Sequence, residues 1–233
     1  MKFKTILVVF IIPLIILIAI LILLKDYQPK IVMVKSQNII KLPAPLYQSS
    51  LSVEEAIYLR QSTRDYKNEP LTLEEVSQLL WSAQGENKSG SRTAPSAGAL
   101  YPIEIYLVVK NVKDLANGVY HYLPNSHSLE IYLNDDIVEK LTVAALDQEM
   151  IAEAAINIII SGIFERTAVK YGERAEQYVY QESGHVSQNI YLQCESLGLG
   201  TVSVGGFDQK AVDQLLGFAE GQMTLYIMPV GRR

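Results

Sequence analysis

Gln188-Asn189-Ile190-Tyr191-Leu192-Gln193-Cys194-Glu195-Ser196-Leu197-Gly198-Leu199-Gly200-Thr201-Val202-Ser203-Val204-Gly205-Gly206-Phe207 is the stretch on which the fold turns. Its first half completes a long helical pattern that begins near Gln177 and is stopped by Gly198 and Gly200. Thr201 to Val204 reads as a short strand. Gly205-Gly206 turns the chain into a helix that Asp208 can cap and that ends at Leu216, before Gly217. Met223 to Val230 reads as the last strand. A long helix, a short strand, a capped helix and a terminal strand are not a repeating βαβ unit.

Upstream, Ser52-Val53-Glu54-Glu55 and Thr72-Leu73-Glu74-Glu75 are capping boxes, in which a hydroxyl and a carboxylate satisfy the free backbone donors of a helix start. The first opens a helix carrying Ala56, Ile57 and Leu59. The second opens one with Leu73, Val76, Leu79 and Leu80 on one face, ending near Gly85. Glu86 to Ala99 is a polar, small-residue loop. Ile103 to Val109 reads as a strand. Gly118 to Leu123 and Leu129 to Leu133, on either side of Pro124-Asn125-Ser126-His127, read as a hairpin. Ile137 to Leu146 looks helical, and Ala155 to Ser161 has the continuous apolar character of a central strand. The pattern implies an α+β fold with a central mixed sheet flanked by helices.

Residues 51–233 are expected to form this domain, with 26–50 as a linker interrupted by Pro29, Pro43 and Pro45 and with Ile31 to Val34 able to pair at a sheet edge. Residues 1–25 read differently. Ile6 to Leu24 is an uncharged apolar run of about 19 residues, long enough for a transmembrane helix. No small-x-small cleavage site stands near Leu24, which favours a retained single-pass anchor over a cleaved signal. Lys25, Lys30, Lys35 and Lys41 outnumber Lys2 and Lys4, so a cytoplasmic catalytic domain is the expected orientation.

The 233 residues carry a net charge of −5, and their basic residues form no stripe, which argues against nucleic acid as a partner. The single cysteine, Cys194, excludes an intramolecular disulfide framework and sits where a small core residue would. No His/Cys/Asp cluster has metal-ligand spacing, so no metal is expected. His185 lies on a mostly apolar helix and reads as a hydrogen-bonded core residue.

Arg60-Gln61-Ser62-Thr63-Arg64 alternates cation and hydroxyl. If the chain becomes extended at Arg60, all three side chains point to one side and offer two guanidinium forks around one hydroxyl, a set suited to phosphate. A solvated basic helix end is the alternative. Pro95-Ser96-Ala97-Gly98 is small and flexible, and so is the Gly205-Gly206 pair. Each allows close backbone approach to a flat ligand, or simply makes a turn. Lys170-Tyr171-Gly172-Glu173-Arg174 reads as a loop ahead of the long helix. The chain ends Gly231-Arg232-Arg233.

In this order the motifs resemble the nitroreductase-like flavoprotein family, over most of residues 52 to 233. The version Ala97-Gly98-Ala99-Leu100-Tyr101-Pro102 is closest to its branch of SagB-type, thiazole/oxazole-forming azoline dehydrogenases. The resemblance implies FMN as cofactor. Arg60, Ser62, Arg64, Arg232 and Arg233 would lie at its phosphate and ribityl groups. Gly205 and Gly206 would lie by N5 of the ring, and Pro95, Ser96, Ala97 and Gly98 would cover the flavin from the second subunit of a homodimer. It further implies Lys170 and Tyr171 as proton-transfer residues while flavin accepts hydride. The implied substrates are azoline rings of modified peptides. The alternatives are a stand-alone reductase of nitro or quinone compounds using NAD(P)H, and a non-catalytic flavin-binding membrane protein.

Overall fold

Strands Ile103–Val109 (β2) and Ile156–Ile163 (β5) lie at the centre of a seven-stranded sheet, and their side chains alternate between two cores. Ile105, Leu107, Val109, Ile156, Ile158 and Ile160 face one core. Tyr106, Val108 and Ile159 face the other. Burial on both faces is why these strands read as nearly unbroken apolar runs. The computed structural model describes residues 38–233, which form one compact unit.

The other strands are Ile39–Lys41 (β1), Gly118–Leu123 (β3), Ser128–Leu133 (β4), Leu199–Thr201 (β6) and Gln222–Arg232 (β7). The spatial order is β1-β4-β3-β2-β5-β7-β6. On one face lie helices Val53–Leu59 (α1), Leu73–Gln84 (α2) and Ala175–Leu197 (α6). The second and third of these bring Val76, Leu79, Leu80, Val179, Val186, Ile190 and Cys194 into the first core. Helices Val138–Ala144 (α3), Glu149–Glu153 (α4) and Gln209–Leu216 (α7) serve the other core through Val138, Leu141, Ile151, Val212 and Leu216. Each fully buried aliphatic side chain of this kind contributes roughly 1.5–3 kcal/mol relative to exposure. Phe164–Tyr171 (α5) follows β5 directly.

Both capping boxes form, Ser52 with Glu55 and Thr72 with Glu75. Asp208 caps α7 by accepting the Ala211 N–H. Several expectations need correction. The sheet is not mixed, because every pairing between its strands is antiparallel. β2, β3 and β4 run up and down in succession, and β5, β7 and β6 each enter beside a neighbour that runs the opposite way. The short strand expected at Thr201 to Val204 is shifted to Leu199–Thr201, and Val204 keeps only an isolated bridge to Ile227. The cause is Gly198, whose left-handed φ of 68° ends α6 in one residue and lets pairing with β7 start at once. In the segment read as a loop around Lys170, Lys170 and Tyr171 end α5, which is short and buries only Thr167, and Gly172–Arg174 form a single helical turn after it. The expected linker contributes β1, which pairs with Ser128–Glu130. The edge pairing expected for 31–34 lies outside the described residues.

The expected membrane-anchored, cytoplasm-facing location does not stand. No helix among the described residues is long and apolar enough to cross a membrane. The run 6–24 on which the expectation rested lies outside the described residues.

Candidate functional site

At Arg60 the backbone leaves α1 (φ −53°, ψ 120°) and the chain runs on in extended form. It is then tied to the end of the sheet. The Thr63 N–H donates to the Thr201 carbonyl (2.9 Å), and the Lys67 N–H to that of Arg232 (3.0 Å). Two glycines make room for this crossing. A Cβ on Gly200 would lie 2.7 Å from Thr63 Cγ2, and one on Gly231 would lie 2.8 Å from the Tyr66 ring. Tyr66 locks the segment by donating its hydroxyl to the Thr63 and Pro229 carbonyls, and burial pushes that phenol well above its ordinary pKa.

Tyr191 of α6 organises the next layer. Its ring lies under the Arg60 guanidinium at 5.2 Å, a cation–π distance. Its hydroxyl bonds Ser62 Oγ (3.0 Å) and accepts the Ser203 N–H (2.8 Å). Arg60 and Ser62 thus face the same side chain, as their alternation predicts. Gln61, Ser62, Thr63, Arg64, Asp65 and Arg233 line an adjoining cavity of about 450 Å³. Arg233 is oriented by Glu195 (2.9 Å). Arg232 is not part of this group. It makes a two-bond ion pair with Glu75 of α2 (2.7 and 2.9 Å). Among the described residues neither Arg60 nor Arg64 has a carboxylate within ion-pair distance.

From Ser203 the chain continues to Gly205 and Gly206, both exposed. Neither has a left-handed backbone. A Cβ on Gly206 would meet nothing within 4 Å, and one on Gly205 would make only ordinary contact with Tyr226 (3.6 Å). Among the described residues nothing therefore requires glycine at these two positions. Bare backbone here suits a ligand approaching from outside.

A second cluster forms around residues 95–101. Gly98 has φ 63°, and a Cβ there would lie 2.9 Å from both Lys170 Nζ and Tyr171 Oη of α5. The small-residue loop and the Lys-Tyr pair, Gly98 and Lys170 being 72 residues apart in sequence, are thus in contact. Lys170 is exposed and Tyr171 half-buried, packed edge-on to Tyr178 (4.9 Å). One turn earlier on α5, Arg166 donates to the Tyr101 carbonyl (3.0 Å) and pairs with Glu104 (2.5 Å). Burial alone would raise the Glu104 pKa, but the hydrogen bond from His121 and the charge of Arg166 outweigh it and hold the carboxyl below its ordinary value. Among the described residues no hydrogen bond or ion pair joins the two clusters directly. They share α6, which carries Tyr191 at one and Tyr178, packed on Tyr171, at the other.

Sequence reasoning did not single out Tyr191, Glu182 or Arg166, which hydrogen-bond Ser62, Gln84 and Tyr101. A signal was present for the first two. Val179, Glu182, Ser183, Val186, Ile190 and Tyr191 lie on one buried stripe of α6, where a carboxyl and a phenol stand out. His185 falls off that stripe and is exposed rather than in the core. Cys194 is buried as expected, and burial raises its pKa far above the ordinary thiol value. No group of His, Cys, Asp and Glu among the described residues is placed to hold a metal.

A profile of the nitroreductase family matches residues 57–232, which span both clusters. The chain belongs to the nitroreductase family. This nitroreductase is 45% identical over 184 residues to the family protein MJ1384 of Methanocaldococcus jannaschii, covering 78% of this chain and 92% of that one. It is 32% identical over 150 residues to the microcin B17-processing protein McbC of Escherichia coli, covering 61% of this chain and 55% of McbC. The chain thus spans little more than half of McbC. Its fold matches the crystal structure of a nitroreductase-family protein of Ralstonia eutropha JMP134 with a TM-score of 0.74 and 28% identity, covering 85% of this chain and 90% of that one. The likeness to the SagB-type branch read from the sequence is in keeping with the match to McbC.

Proposed function

We propose that this oxidoreductase uses FMN and acts first as a SagB-type dehydrogenase of azoline rings. The observation that carries the reading is the contact of Lys170 and Tyr171 with the Gly98 backbone, which sets a proton-handling pair against a loop bare enough to approach a flat ring. The donor set fits the cofactor. Arg60, Ser62, Arg64 and Arg233 supply guanidinium and hydroxyl donors for a phosphate and polyol, and Gly205 and Gly206 present backbone to a ring edge. Arg232, committed to Glu75, is left out of the phosphate set. Bound FMN would supply a two-electron centre that takes up hydride.

Oxidising an azoline to an azole removes two electrons and two hydrogens, one as hydride and one as a proton. In this reading Lys170 or Tyr171 holds the departing proton, and Pro95, Ser96, Ala97 and Gly98 close the site against water. The exposed apolar face of α1 supports a homodimer, with the loop of one chain meeting the phosphate end of the other. A second reading, NAD(P)H-dependent reduction of nitro or quinone compounds, is favoured by the match covering 92% of MJ1384, which is itself described as a nitroreductase.

The test begins with the full chain, its bound flavin and released cofactor identified by absorbance and chromatography. Bound FMN is expected, with Lys170→Ala slowing azoline-peptide oxidation at least tenfold while flavin content stays within twofold. Turnover of nitro compounds but of no azoline peptide would move the assignment to the second reading. A chain that takes up no FMN would remove both.

A further inference from the structure

Glu104 is the second residue of β2 and lies on the same face of the sheet as Tyr106 and Val108. Its side chain is 15% exposed, and each carboxylate oxygen has a partner. Oε1 meets Arg166 Nη1 at 2.5 Å, and Oε2 meets His121 Nε2 at 2.7 Å. His121 is itself held by stacking on the Tyr106 ring, 4.7 Å between centroids and 22° between planes. The sheet therefore aims the carboxylate before the arginine reaches it. Arg166 comes from α5. Its Nη1 carries two hydrogens, one for Glu104 and one for the Tyr101 carbonyl (3.0 Å). One guanidinium nitrogen thus joins the sheet to the loop.

The loop needs such a tie. Gly98, Ala99 and Tyr101 all have left-handed φ values, of 63°, 55° and 47°, and two of the three carry a Cβ that disfavours that conformation. Its own hydrogen bonds are local. The Ala99 N–H donates to the Ser96 carbonyl (3.1 Å), the Leu100 N–H to that of Ala97 (3.4 Å), and the Tyr101 N–H to Ser96 Oγ (2.9 Å). These bonds shape the turn without fixing where it sits. Just past it, the Ile163 N–H donates to the Pro102 carbonyl (2.9 Å) and brings the start of α5 beside the loop. Arg166 then holds Tyr101, and four residues on, Lys170 meets Gly98. Residues four apart share a helix face, so one side of α5 meets the loop at two points. Arg92, at 5.5 Å, touches the Tyr101 ring and not its backbone.

We propose that Glu104 and Arg166 are positioning residues: the carboxylate, aimed by His121, fixes the guanidinium on the Tyr101 carbonyl, and that tie holds residues 98–101 against Lys170 and Tyr171. The proton-handling role of that pair rests on the functional reading above; the hold on the loop does not. Arg166 is the cleaner place to cut the tie. Its side chain is 41% exposed and belongs to neither core, so its removal leaves the packing of the sheet intact.

Amide hydrogen exchange at Ala99, Leu100 and Tyr101, compared with β2, tests the hold in the full chain. Arg166→Ala should speed exchange at these amides about tenfold or more and leave β2 unchanged. Glu104→Ala should act in the same direction. The double variant should exchange within about twofold of Arg166→Ala alone, because the two side chains form one tie. Loop exchange in Arg166→Ala equal to that of the unsubstituted protein would overturn the proposal. So would an equal rise in β2, which marks a general loss of stability, or a double variant in which the two effects multiply, which would mean that Glu104 acts other than through Arg166. With FMN bound, Arg166→Ala should lower kcat for azoline-peptide oxidation about tenfold while KM and the FMN Kd stay within about twofold. An unchanged kcat, or a rise in KM alone, would remove the positioning role toward Lys170 and Tyr171. An unsubstituted chain that takes up no FMN would remove the functional reading, and the exchange comparison would still decide the hold on the loop.

Discussion

Arg232 and Arg233 are neighbours in sequence, but their side chains go to different helices, Arg232 to Glu75 on α2 and Arg233 to Glu195 on α6. Only Arg233 then reaches the cavity beside Ser62 and Arg64. Their removal should separate accordingly. Arg232→Ala leaves a half-buried Glu75 without its partner and should lower unfolding stability by about 1–3 kcal/mol in urea titration, with little change in FMN affinity per folded molecule. Arg64→Ala removes an exposed cation that has no carboxylate partner among the described residues, so stability should hold while FMN affinity falls about tenfold or more by fluorescence titration. A tenfold loss of affinity in Arg232→Ala would return that residue to the phosphate set. The sequence offered both arginines to the phosphate equally. It could not separate them, because the separation depends on Glu75, which the capping box had already accounted for as a backbone partner of Thr72.

α6 is the element that links the parts of the site, and its amphipathic pattern made it the easiest to read. What the pattern conceals is the chemistry on its buried stripe. Tyr191 looks like an ordinary core aromatic until Ser62 and Ser203, 129 and 12 residues away, are seen to meet its hydroxyl. Tyr191→Phe keeps the ring and the Arg60 contact but strips the partner from the Ser203 N–H. It should cost about 1–2 kcal/mol of stability and loosen the 203–206 backbone, seen as faster amide exchange there and weaker FMN binding. Exchange at 203–206 unchanged from the unsubstituted protein would show that β7 alone holds that segment. α5 was illegible for the opposite reason. It is short and buries only Thr167, and its Arg166 is fastened to Glu104 and Tyr101. Local patterns thus revealed the strands and long helices buried against two cores, while elements held by polar ties appeared only with the tertiary structure.

At the scale of the whole molecule, α1 is the least self-sufficient part. It is seven residues long, below the length at which a helix persists alone in water, and among the described residues it buries only Ala56. Val53, Ile57, Tyr58 and Leu59 are all exposed, Tyr58 by 88%, and Leu46 and Tyr47 extend the same apolar character before the helix. A patch of this kind beside Arg60 is suited to contact with another molecule. In the homodimer proposed above, a second copy of the chain would cover it, and the loop cluster and the Arg60–Arg64 cluster, which among the described residues have no direct bond to each other, would each be completed across a twofold axis. Ile57→Glu and Leu59→Glu together put two charges into that contact and leave both cores untouched. The expected result by light scattering is a shift from dimer to monomer, accompanied by loss of FMN although Arg60, Ser62, Arg64 and Arg233 are all present. A variant that stays dimeric would place the interface elsewhere. A monomer that still binds FMN with unchanged affinity would mean that one chain holds the cofactor without its partner's loop.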